Sequence, residues 1–129
     1  MEKKIIHTEH APPAIGPYSQ AVILNNMVYC SGQIALKPGT SGLQSSSIEK
    51  ETEQVLENLK SILQAAGSSF NDVVKCTIYL ADMSSFEAVN RIYGEYFPQH
   101  PPARETVAVK TLPKAANVEI SCIAFCPEG

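Results

Sequence analysis

Val118-Glu119-Ile120-Ser121-Cys122-Ile123-Ala124-Phe125, residues 118–125, is the stretch from which the fold is read. Side chains alternate across a strand, so Val118, Ile120, Cys122 and Ala124 point one way and Glu119, Ser121, Ile123 and Phe125 the other. Large apolar residues lie on both sides, so both faces of the strand need cover. Upstream, Ile48, Val55, Leu56, Leu59, Ile62, Leu63 and Ala66 recur at helical spacing, with Ser46 and Glu49 as a capping-box pattern and Gly67 as a left-handed stop. A second helix is marked by Phe86, Val89, Asn90, Tyr93, Tyr96 and Phe97, with Ser84 and Glu87 as its capping box and Pro98 as its end. Segments near Lys3–His7, Ser19–Leu24, Met27–Gln33, Val73–Leu80 and Arg104–Val109 are rich in Val, Ile, Thr and Tyr and read as strands, two of them joined by an Asn25-Asn26 hairpin turn. The order is β-β-β-α-β-α-β-β. It predicts an α+β domain in which two helices cover one face of a single mixed, mostly antiparallel sheet of about six strands. Two helices leave the other face open, and a second copy of the chain is the economical cover, so a closed homo-oligomer is expected.

The chain has 129 residues, which corresponds to a single domain, 1–129, burying about two-thirds of its unfolded surface. Hydrophobic residues at 44% and charged residues at 18% exclude a disordered or fibrous chain. A net charge of −3 lacks the basic surplus that displaces counterions from phosphate, so nucleic acid is not the expected ligand. No apolar run reaches the roughly 18 residues of a membrane span. The N-terminus has neither a signal-peptide core nor an acid-poor transit composition, so the expected compartment is cytoplasmic, with mitochondria left open. Cys30, Cys76, Cys122 and Cys126 form no Cys-x-x-Cys pair and no zinc spacing with a histidine, and they read as small buried hydrophobes. Pro38–Ser47, with two glycines and four serines, reads as a flexible surface loop within the domain.

No nucleophile elbow, phosphate loop or zinc-protease motif is present. Chemistry is left to a few polar residues in apolar or Gly/Pro-rich contexts: Tyr18, Ser31, Asn90, Arg104 and Glu119. Glu119, between Val118 and Ile120, faces a large desolvation cost unless paired, and Arg104 is a natural partner on a neighbouring strand. One reading is a salt bridge that fixes register; the other is an anion-binding arginine beside a poised carboxylate. Pro101-Pro102 holds the chain extended before Arg104. Gly16-Pro17-Tyr18 is a turn that projects a phenol, and Gly32 after Ser31 lets a ligand or another backbone approach. Asn90 reads either as a satisfied core amide or as a group that reaches across to hold Arg104 or a loop. His7, His10 and His100 read as solvated surface.

The segments AIGPYSQAV (Ala14–Val22), SGQIAL (Ser31–Leu36), AAG (Ala65–Gly67), FEAVNRIYGEYF (Phe86–Phe97) and PPARETVAVKTLPKAANVEI (Pro101–Ile120) together resemble the reactive-intermediate deaminase (Rid) family, also called L-PSP endoribonucleases or translation inhibitors. The resemblance covers nearly the whole chain. It implies a chorismate-mutase-like subunit and a homotrimer with clefts between neighbouring subunits. It also implies cofactor-free and metal-free hydrolysis of 2-imino acids, such as 2-iminobutanoate and 2-iminopropanoate, to 2-keto acids and ammonia. Position by position, Arg104 matches the family's carboxylate-binding arginine and Glu119 the glutamate that positions water. Tyr18, Ser31, Gly32 and Asn90 match cleft residues, and backbone groups near Thr106 and Gly32 would hold the imine end. Two positions depart from the family: many relatives carry Cys where Thr106 stands, and a second Glu where Ser121 stands. A backbone role at residue 106 survives that change, whereas a thiol role does not, and Ser121 leaves no second carboxylate.

Two other function classes fit less of the sequence. Ribonuclease activity needs a phosphate-binding surface, for which Lys110 and Lys114 are the available rim. A non-catalytic trimer that binds a small keto or imino acid would not need both Arg104 and Glu119.

Overall fold

In a computed structural model, the structure describes residues 2–127. Met1, Glu128 and Gly129, counted in the expected domain, lie outside the described residues. Six strands form one sheet: β1 (Lys4–Ile6), β2 (Ala21–Leu24), β3 (Met27–Gln33), β4 (Val73–Leu80), β5 (Ala103–Ala108) and β6 (Val118–Phe125). Helices α1 (Ile48–Ala65) and α2 (Phe86–Tyr96) pack against each other on one face. The spatial order is β1-β2-β3-β6-β4-β5; all pairings are antiparallel except β4 with β5. The expected α+β sheet with two helices is therefore observed, with its last strand in the middle.

That central place explains the two-sided apolar pattern of β6. Val118, Ile120 and Ala124 are fully buried beneath the helices and Cys122 nearly so. They meet Val55, Leu56, Leu59, Ile62 and Leu63 of α1, all at 0% exposure, and each such side chain contributes about 1.5–3 kcal/mol of burial free energy. On the opposite face, Ile123 sits in register with Tyr29, and Tyr29 and Phe125 remain 46% and 39% exposed. All four cysteines are free and buried, as small hydrophobes would be. The three histidines are exposed.

Local signals mostly hold, shifted by a residue at the helix starts. The cap of α1 is Ser47, whose hydroxyl accepts from Lys50 N, while Ser46 turns to Gln44, so the expected Ser46–Glu49 capping box is not formed. The expected Ser84–Glu87 box at α2 is also absent. A 3-10 turn over Met83–Ser85 precedes the helix, and Asp82 accepts from Ser84 N instead. Both shifts have one cause: several adjacent Ser and Asp residues compete for the same free amides, and tertiary entry angle selects among them. Gly67 (φ +80°) ends α1, with Ser68 N donating to Leu63 O and Gly67 N to Gln64 O. Asn25 and Asn26 both adopt positive φ, as the two-residue hairpin requires. The Pro38–Ser47 segment is a surface loop, pinned by a Leu36–Leu43 bridge and a Gln44 N to Ala35 O bond.

β3 contains a bulge. Cys30 pairs with Cys122 but Gln33 with Ile120, so three steps along β3 span two along β6. The extra residue falls at Ser31-Gly32, and bulges of this kind re-aim side chains next to functional clefts.

Candidate functional site

Two polar constellations result, on opposite faces of the sheet. The first is built around Glu119, on the face away from the helices. A cleft of about 540 Å³ is lined there by Pro12, Ile15, Tyr18, Ser31, Gly32, Lys114 and Glu119, among others. The β3 bulge brings Gly32 under the Glu119 side chain so closely that a Cβ at position 32 would overlap the carboxylate. Any side chain at position 32 would thus have to displace the Glu119 carboxylate, whereas the backbone conformation itself admits other residues. Half-buried and without a charged partner among the described residues, Glu119 has its carboxyl held above the ordinary carboxylate range by desolvation.

The walls of this cleft are tied by buried amides. Gln20, 2% exposed, accepts from Thr8 N (2.7 Å) and donates to the carbonyls of Thr8, Ala11 and Pro12, which fixes the incoming N-terminal segment over the cleft. Ser31 Oγ donates to Ser19 O (2.6 Å) and Ser31 N to Gln20 O. Tyr18, 54% exposed, follows Gly16 (φ +118°) and accepts from Ile15 N. Asn58 of α1 donates to the carbonyls of Ile34 and Leu36, the cleft residues that follow β3.

The second constellation lies at the β5 edge, under α2. Phe86, Asn90 and Tyr93 are spaced so that they share one helix face. That face meets Arg104, whose Nη1 donates to Asn90 Oδ1 at 2.6 Å and whose guanidinium lies 4.9 Å from the Tyr93 ring centroid and 5.8 Å from that of Phe86. Among the described residues no carboxylate pairs with this arginine. Asn90 is thus not a core amide: it is exposed and reaches across to Arg104. A hollow of about 460 Å³ opens beside it, lined by Asn90, Tyr93, Gly94, Phe97, Pro101, Pro102 and Arg104. Thr106, two residues along the same strand, shares its face, and its hydroxyl is buried without a hydrogen-bond partner among the described residues. Cys76, in register with Arg104 beside the Tyr93 hydroxyl, has its thiol pushed up to about 11 by burial, so it is no nucleophile at neutral pH.

The expected pairing of Arg104 with Glu119 is therefore corrected. β4 lies between β5 and β6, and the two side chains point to opposite faces of the sheet. Strand order is set by non-local pairing that adjacency in sequence does not encode. Of the expected site residues, Tyr18, Ser31, Gly32 and Glu119 come together in one cleft, and Asn90, Arg104 and Thr106 at the other constellation. Gln20 and Asn58 were not among the expected site residues. For Asn58 a signal existed, since it falls on the apolar stripe of α1 with Val55, Leu59 and Ile62. Lys110 does not line the Glu119 cleft, whereas Lys114 does. Among the described residues no group of three or more His, Cys, Asp or Glu side chains is placed to hold a metal, and no helix is long and apolar enough to cross a membrane.

Residues 8–126 match the family model described as Endoribonuclease L-PSP. The chain belongs to the L-PSP, or Rid, family. Its sequence is 50% identical over 124 residues to Reactive Intermediate Deaminase A, chloroplastic, of Arabidopsis thaliana, covering 96% of this chain and 66% of that one. It is 45% identical to the human 2-iminobutanoate/2-iminopropanoate deaminase, covering 95% of this chain and 90% of the human protein. Among solved structures, E. coli TdcF with bound serine superposes with a TM-score of 0.89 at 41% identity, covering 95% of this chain and 98% of that one. RidA from an Antarctic Psychrobacter reaches 0.90 at 43% identity, covering 95% and 98%.

Proposed function

We propose that this protein hydrolyses small 2-imino acids, 2-iminobutanoate and 2-iminopropanoate among them, to the 2-keto acid and ammonia in the cytoplasm. The observation that carries the reading is Arg104: a guanidinium fixed by Asn90 and Tyr93 and left without an anionic partner among the described residues. A planar, pre-oriented cation of this kind matches a carboxylate through two parallel hydrogen bonds. The human relative's name supplies the substrate class, and bound serine in TdcF is a ligand with the same α-carboxylate and nitrogen.

On this reading Arg104 holds the substrate carboxylate, and Glu119 takes a proton from water as its oxygen adds to the imine carbon. Because the imine enters protonated, the adduct is a neutral carbinolamine: Glu119 returns the proton to nitrogen to make an ammonium, then takes the carbinol O–H proton as the C=O bond forms, the C–N bond breaks and ammonia leaves. The raised carboxyl of Glu119 suits both halves of that exchange. Groups at Gly32 and Thr106 hold the imine end, and Tyr18 and Ser31 line the cleft. Because Arg104 and Glu119 face away from each other within one chain, the complete site combines the β5 edge of one copy with the Glu119 cleft of another. Repeating that head-to-tail contact closes a ring, in keeping with a homotrimer.

The reading is tested by generating the two imines with an amino-acid oxidase, trapping them with semicarbazide, and following the loss of trapped product. Wild type is expected to lower trapping; trapping unchanged at saturating protein overturns the reading. A mixing experiment tests the composite site. Arg104→Ala and Glu119→Gln chains are each expected to be inactive, but co-refolded at equal amounts they should recover about one quarter of wild-type activity, since half of the sites receive an intact arginine and half of those an intact glutamate. Recovery of nothing would place both groups in one subunit's site.

Gly32→Ala makes a third test. Its backbone tolerates alanine, and the added methyl meets the far end of a flexible side chain, so a Tm close to wild type is expected. Glu119 must nevertheless swing aside, and displacement by about 1 Å is enough to lower turnover about a hundredfold. Full activity in that variant would remove Glu119 from the mechanism.

A further inference from the structure

Glu51 stands at the end of the first turn of α1 and is 1% exposed. Its sequence neighbours Glu49 and Glu53 reach Arg91 and Lys50 near the surface, but among the described residues no lysine, arginine or histidine pairs with Glu51. A carboxylate buried without a counter-charge is costly unless hydrogen bonds replace its lost hydration. Both of its hydrogen bonds go to one residue: Asn117 N donates to Oε2 at 2.7 Å and Asn117 Nδ2 to Oε1 at 2.8 Å. From the other side, Asn117 O accepts from Ala81 N at 3.0 Å, just beyond the end of β4.

What this clamp holds is a strained segment beside the cleft. Lys114 and Ala115 both have φ of +56°, two consecutive non-glycine residues in the left-handed region. Such conformations persist only where the surroundings over-determine them. The turn itself is closed by Ala115 N to Leu112 O and Ala116 N to Pro113 O. Pro113 and Lys114 line the same cleft as Glu119, and Asn117 precedes Glu119 by two residues at the entry to β6.

We propose that Glu51 is a positioning residue for the Glu119 cleft, a buried carboxylate that never meets substrate but, through Asn117, fixes the 112–117 turn and with it the start of β6. This rests on the imine-hydrolase reading for its kinetic readout, but not for its structural one. The geometry predicts that a glutamine at position 51 keeps both bonds. Its Oε1 accepts from Asn117 N, and its amide donates to Asn117 Oδ1 once the asparagine amide turns over.

The test compares wild type, Glu51→Gln and Glu51→Ala by imine turnover and by residue-resolved amide exchange. In Glu51→Ala, kcat is expected to fall about ten- to a hundredfold with KM within about threefold, because water orientation is disturbed while the Arg104 contact is not. Exchange should accelerate over residues 112–118 and stay unchanged in the second half of α1. Glu51→Gln should recover most of the rate and the slow exchange. Should Glu51→Ala not fold, Asn117→Ala, which keeps the backbone bond and loses the side-chain one, should show the same pattern at smaller amplitude. Unchanged kcat, acceleration spread over the whole chain, or a glutamine variant as impaired as the alanine one would each overturn the proposal. A wild type without imine turnover removes the proposed function, and the exchange pattern alone then decides whether Glu51 holds the turn.

Discussion

Replacement of Arg104 by alanine is expected to lower kcat/KM for 2-imino acids by about two to three orders of magnitude, or ~3–4 kcal/mol of transition-state binding, the range found when one partner of a desolvated hydrogen-bonded charge pair is removed. The fold should survive. Arg104 lies on an edge strand, its contacts are to Asn90, Tyr93 and Phe86, and the ring stacking contributes only about 0.5–2 kcal/mol. Arg104→Lys should be impaired almost as much, since an ammonium keeps the charge but can neither present two parallel N–H groups nor stack flat on Tyr93. Circular dichroism and oligomer size near wild type, together with lost turnover, make the expected set. An Arg104→Ala protein that turns over imine at the wild-type rate would falsify the carboxylate clamp.

Glu119→Gln carries the second large effect. Removing a general base costs typically about 10²- to 10⁴-fold, so turnover should fall into that range while affinity for a 2-keto acid, held through Arg104, changes little. The pH dependence adds a sign. Burial holds the Glu119 carboxyl above the ordinary carboxylate range. Wild-type kcat/KM should therefore rise with pH along a limb whose midpoint lies above that of a solvated glutamate, and the residual rate of the glutamine variant should lack that limb. Stability runs the opposite way. A carboxyl whose pKa is higher in the folded chain contributes stability fully below its unfolded value, near 4.3, and loses that contribution as pH rises through the folded value. Glu119→Gln should thus melt above wild type at pH 8, with the gap closing as pH falls below the carboxylate range. A variant of equal Tm at both pH values and with an unaltered pH profile would count against a desolvated Glu119.

How far such residues are legible without coordinates depends on the range of the interaction that places them. The alternation of Val118–Phe125 and the apolar spacing of α1 are local, and both elements appear, β6 with those bounds and α1 with its cap one residue later than expected. Asn25-Asn26 is local too, because its two positive φ values are a property of a two-residue loop. Strand order is not: nothing in residues 104–119 says that β4 separates β5 from β6, and a sequence reading that places Arg104 next to Glu119 follows from that silence. The one-residue bulge at Ser31-Gly32 is likewise decided by pairing with β6. Gly32 was visible as a point of close approach, but the Glu119 carboxylate as the group that approaches was not. Glu51 and Asn58 sit seven residues apart on the buried stripe of α1, and polar residues at apolar positions were the available sign that this helix ties loops as well as filling the core.

The opposed faces of Arg104 and Glu119 carry a last consequence. A lone chain holds a cation without its base on one side of the sheet and a base without its cation on the other. On the proposed composite site, catalysis would obey mass action among identical chains: specific activity is expected to stay constant while a ring is intact and to collapse once dilution passes its dissociation constant. Substitutions at Tyr29 or Phe125, on the open face and outside both constellations, should move that threshold toward higher protein concentration and leave the rate per assembled ring unaltered. Cellular abundance of the chain would in this way set not only how much activity is present but whether there is any.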